Sequence, residues 1–77
     1  MNTLYRTGKM KITVYVDHNP PHFHVITPDG ESLVDLATMT EIQSGVDRKY
    51  LNKAITWALA HREELQAEWE RLNPKKP

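Results

Sequence analysis

From Arg48 to Leu72 the chain keeps helical spacing without a single glycine or proline, and in a 77-residue protein that leaves room for only one further layer of structure. Asp47, directly after Gly45 and Val46, is suited to accept hydrogen bonds from the first free N–H groups and so to start the helix. Leu51, Ile55, Ala58, Leu65, Trp69 and Leu72 fall on one stripe, interrupted by Arg62, while Tyr50, Ala54, Trp57 and His61 form a flanking row. The spacing therefore predicts one long amphipathic helix over about residues 48–72 lying across a second layer. A helix of that length is nearly 40 Å long and a five-residue strand under about 20 Å, so its last turns are expected to project and to leave Trp69 exposed.

The second layer reads as a sheet. Met10, Ile12, Val14 and Val16 alternate with Lys11, Thr13, Tyr15 and Asp17, the period of a strand with one buried face. His18-Asn19-Pro20-Pro21 interrupts it, because consecutive prolines donate no hydrogen bonds. The alternation resumes from His22 to Thr27, Pro28-Asp29-Gly30 reads as a tight turn, and Ser32–Leu36 completes a hairpin. A short fourth strand is expected near Met39–Gln43. The predicted fold is thus α+β, a single domain over 1–77: an antiparallel β-meander of three to four strands (about 9–43), one long helix (about 48–72) and a tail (73–77).

Composition narrows function mainly by exclusion. Ten basic residues balance ten acidic ones, which argues against a broad electrostatic hold on nucleic acid. Basic residues still gather at Arg6, Lys9 and Lys11 and at Arg48, Lys49 and Lys53, leaving room for a local phosphate contact. No cysteine is present, so neither a disulfide framework nor a thiolate zinc knuckle staples the fold. No window has the length of a membrane span and the N-terminus lacks a signal-like apolar run, so a cytoplasmic location is expected.

The chemically richest segment is Asp17-His18-Asn19-Pro20-Pro21-His22-Phe23-His24, which holds three of the four histidines. His22 and His24 are two apart on a strand and share a face, so their imidazoles are near enough to share a cation. His18 is the expected third ligand across the turn, with Asp17 or Asp35 available to complete the shell around zinc, nickel or copper. Such a centre extends to hydrolytic, nuclease-like chemistry; metal-free acid–base catalysis by the same histidines, with Tyr15 and Lys11 in support, has no nucleophile motif, carboxylate pair or phosphate-binding glycine loop beside it, and the balance lies against an enzyme. The other reading makes the same face a contact surface, with Tyr15, His18, Asn19, His22, His24 and Trp69 as its binding residues. An uncovered edge strand and an exposed Trp69 leave homodimerisation open.

The segments DHNPPHFHV and AITWALAHREELQAEWE resemble a family of short bacterial proteins known as domain of unknown function 4160, over about Lys9 to Leu72. The matching positions are His18, Asn19, Pro20, Pro21, His22, Phe23 and His24, then Trp57, His61, Arg62, Glu63, Leu65 and Trp69. The resemblance implies an N-terminal strand, for which MNTLYRTGKM is abbreviated or divergent, and a small neighbour-encoded protein partner in an arrangement like a toxin–antitoxin gene pair. It implies no defined activity. The leading expectation is an interaction module of such a pair, and the alternative is a metal-binding domain using His18, His22 and His24.

Overall fold

The computed structural model describes residues 2–74, so the end of the expected tail lies outside the described residues. Five antiparallel strands follow one another in space as in sequence: β1 (Asn2–Thr7), β2 (Met10–Val14), β3 (His22–Thr27), β4 (Gly30–Asp35) and β5 (Glu41–Gln43). Two helices complete an α+β fold, α1 (Arg48–Ala60) and α2 (Arg62–Leu72). No helix among the described residues is long and apolar enough to cross a membrane.

The strand register sorts the side chains between two faces. Ile12 pairs with Val25, Phe23 with Val34 and Tyr5 with Ile12, so these residues face the helices. Met10, Ile12, Val14, Phe23, Val25 and Val34 form one buried cluster with Leu51, Ala54, Ala58, Leu65 and Trp69 of the helices. Thr13 pairs with His24 and His24 with Leu33 on the opposite face. That face is less open than its pattern suggests, because Thr13 is completely buried and His22 is only 6% exposed.

Two expectations about architecture are corrected. The meander has five strands, because residues before Met10 add β1; a bulge between Thr3 and Tyr5 breaks the two-residue period that would otherwise have marked it. The long helix is two helices. At His61 (φ −128°, ψ 31°) the ring Nδ1–H donates to the carbonyl of Trp57 at 2.8 Å, occupying the acceptor that an unbroken helix would offer to the His61 backbone N–H. That N–H turns to Ala58 instead, a three-residue closure, and the His61 ring stacks on Trp57 at 4.1 Å and 11°.

The break redirects α2 onto the sheet rather than past it. Trp69, expected to be exposed, is 4% exposed. Asn73 caps the end of α2 and ties it to the far end of β2: its amide donates to the carbonyls of Tyr15 and Trp69 at 3.1 Å each, and its Oδ1 accepts from the Asp17 backbone N–H at 2.9 Å. Asn73→Ala removes all three bonds and is expected to cost about 1–3 kcal/mol in urea unfolding. A loss below the error of that measurement would mean that packing of Trp69 alone holds the helix end.

Candidate functional site

Asp17, at the exit of β2, is fixed from two directions. Asn73 holds its backbone N–H, and its own Oδ1 accepts the backbone N–H of His18 at 2.8 Å, which turns Oδ2 toward the strand face carrying His22 and His24. The His18 N–H bond depresses the Asp17 pKa; burial pushes it up, but the hydrogen bond from His22 and the charges of His22 and His24 add to the lowering, and the carboxyl ends below its ordinary value.

Each histidine is oriented by its Nδ1. His22 Nδ1 is 2.7 Å from the Pro20 carbonyl, just after the cis Asn19–Pro20 bond, and His24 Nδ1 is 2.6 Å from Glu31 Oε2. A carbonyl or carboxylate oxygen only accepts, so both Nδ1 atoms carry hydrogen and both Nε2 atoms point their remaining valence at Asp17. His22 Nε2 is 3.0 Å from Asp17 Oδ2 and His24 Nε2 is 3.6 Å from it. Beyond hydrogen-bond reach of Asp17, His24 Nε2 is buried without a hydrogen-bond partner, and so is the hydroxyl of Thr13, its cross-strand neighbour. Tyr15 packs edge-on to the His24 ring at 4.4 Å, and Trp69 lies 5.2 Å from the His22 ring.

The three donor atoms lie within 4.8 Å of one another. A metal about 2.0–2.2 Å from each of three donors in a tetrahedral arrangement sets donor–donor distances near 3.4 Å, and the two edges through Asp17, 3.0 and 3.6 Å, bracket that figure. The Nδ1 partners, one backbone carbonyl and one carboxylate, are the outer contacts that ligating histidines ordinarily have. A cleft of about 830 Å³ opens beside Asp17, between Val16, Asn19 and Pro21 on one side and Trp69 and Leu72 on the other.

The expected set is brought together only in part. His22 and His24 converge as their spacing suggested. His18 does not join them: it is exposed, and its contribution is the backbone bond to Asp17. Asp35 pairs across the ladder with His22, but its Oδ1 is used by the backbone N–H groups of Ala37 and Thr38 in the turn before β5. Tyr15 and Trp69 flank the histidines, and Asn19 lines the cleft. Glu31 and Asn73 were not among the expected site residues. A signal for Asp17 was present, because odd positions of β2 alternate onto the histidine face while His18 has the opposite parity.

No curated protein and no solved structure matches the chain. Residues 9–70, which span β2 through most of α2 and every residue of the Asp17, His22 and His24 cluster, match the family described as Domain of unknown function (DUF4160), and the chain belongs to that family.

Proposed function

We propose that the protein binds one divalent transition-metal ion, zinc, nickel or copper, through Asp17 Oδ2, His22 Nε2 and His24 Nε2. The observation that carries this reading is the convergence of two Nε2 atoms, each with its Nδ1–H already engaged, on a single carboxylate oxygen, one of them buried with no hydrogen-bond partner. A proton or a metal ion must lie between His22 and Asp17, and a metal ion also satisfies His24. Three protein donors leave a coordination position for water, as in catalytic rather than closed structural sites, so metal-assisted hydrolysis is the chemistry this centre would support.

The test is elemental analysis of tag-free protein beside His22→Ala/His24→Ala. The expected result is about one ion per wild-type chain, lost in the variant, with added zinc at a hundredfold over its dissociation constant raising stability by about 2.7 kcal/mol. For a domain of this size that is a rise in Tm on the order of 10–20 °C. Substoichiometric metal together with no thermal response to zinc, nickel or copper would sink the reading.

A second reading, a contact surface for a small neighbour-encoded protein, is favoured by one observation. Val16, 70% exposed, stands at the mouth of the cleft beside Asp17, where an apolar side chain gains from being covered. Val16→Asp is expected to abolish co-purification with that protein while metal content stays unchanged.

A further inference from the structure

On the helix side of β1, at the opposite end of β2 from Asp17, an open surface groove of about 530 Å³ lies between Tyr5 and α1. Its size is that of ordinary small-ligand sites. Lys49 and Lys53 are one helical turn apart and both line it, with Asn52 and Thr56 on the adjoining turn. No acidic residue is among the lining residues. Neither lysine has a carboxylate partner among the described residues; the Lys49 ammonium rests 5.1 Å from the centre of the Tyr50 ring. An ammonium group is donor-only, so two lysine side chains lining one groove with no acid among its walls suit a ligand rich in acceptors and negative charge.

Trp57 sharpens the choice. Its ring is stacked with both Tyr5, at 4.9 Å, and His61, at 4.1 Å, and it lines the groove beside Tyr5. An indole N–H only donates. Lys49, Lys53, Asn52 and Trp57, all donor-bearing side chains, thus line the same groove beside the ring of Tyr5.

We infer that this groove binds a small phosphate monoester with an aromatic body, of the size of a nucleoside monophosphate, with Lys49 and Lys53 on the phosphate and Tyr5 and Trp57 against the body. The site shares no residue with the Asp17, His22 and His24 cluster and stands independently of the metal reading. Its chemistry accounts for the basic group at Lys49 and Lys53 in a chain of zero net charge.

The test is titration of isotope-labelled protein with adenosine 5′-monophosphate, inorganic phosphate and adenosine, followed by amide and indole NMR signals. The nucleotide is expected to shift the Lys49–Trp57 amides and the Trp57 indole N–H, and to bind more tightly than either fragment. Lys49→Ala/Lys53→Ala, which alters only exposed side chains, is expected to weaken it at least about tenfold. Shifts confined to His22 and His24 would mean that the phosphate sits at the other site and would overturn the inference. Equal binding of nucleotide and adenosine, or binding unchanged in the double variant, would overturn it as well.

Discussion

Asp17→Asn is expected to weaken the proposed metal binding at least about a hundredfold while leaving the fold in place, because the amide oxygen can keep the bond from the His18 N–H but brings no charge to the proposed centre. Isothermal titration with zinc at neutral pH measures it. The same variant tests the electrostatics without metal. The Asp17 carboxyl is held below its ordinary value in the fold, so the ionised form contributes stability above the range where a free carboxyl titrates, and that contribution is lost as pH falls through the lowered folded value. Asparagine cannot titrate. In EDTA, the difference in urea midpoint between wild type and Asp17→Asn is expected to be widest above about pH 4 and to narrow steadily below it. Parallel curves from neutral to acid pH would mean that Asp17 is not engaged with His18 and His22 in solution.

Gly45→Ala is expected to be the most damaging single methyl addition in the chain. A Cβ at Gly45 would lie 2.0 Å from the Glu31 carbonyl oxygen, and one at Gly30 would lie 2.2 Å from the Gly45 carbonyl oxygen, so the linker before α1 crosses the start of β4 backbone to backbone. Neither oxygen is the movable end of a side chain. Ser32, completely buried beneath this crossing, accepts the N–H groups of Gly45 at 2.9 Å and Val46 at 3.1 Å and donates to Glu41 at 2.8 Å. Forcing the two segments apart breaks those bonds as well as the contact, so a loss of about 3 kcal/mol is expected. At roughly 0.05–0.15 kcal/mol per residue, a domain of 77 residues holds only about 4–12 kcal/mol in all. Thermal circular dichroism should show Tm falling by more than about 10 °C. Gly8→Ala is the control: Gly8 has φ +53° but nothing within 4 Å of an added Cβ, so only backbone strain of about 1–2 kcal/mol applies. Equal losses at the two positions would show that the crossing is looser than its geometry.

The parts of this fold that the sequence reveals are those governed by period and by local turn chemistry. β2 and β3 are visible as alternation, and Asp47 as the helix start, where its side chain accepts the Lys49 N–H at 3.0 Å. The missed features depend on contacts between distant residues or on one side chain competing with the backbone. β1 is hidden by its bulge, and the helix break has no glycine or proline to mark it because the His61 ring takes the Trp57 carbonyl. Trp69 followed as a consequence, since its burial depends on the direction α2 takes after the break. At the site, the His22 and His24 pair is a property of strand spacing and was legible. The choice between Asp17 and His18 rests on Asn73, 56 residues away, and on strand parity carried past the last ladder residue of β2.

The Asn73 tie also bears on the order in which the molecule is made. Synthesis releases β1 to β4 first, and those strands can pair and bring His22 beside His24 while the helices are still inside the ribosome. Asp17 is then held only by its neighbour His18, because the group that secures its backbone arrives with the last turn of α2. A nascent or truncated chain ending before Asn73 would carry two histidines without a fixed carboxylate. Capture of an ion at the proposed centre would therefore wait on the formation of α2, whose last turn supplies the clamp on Asp17.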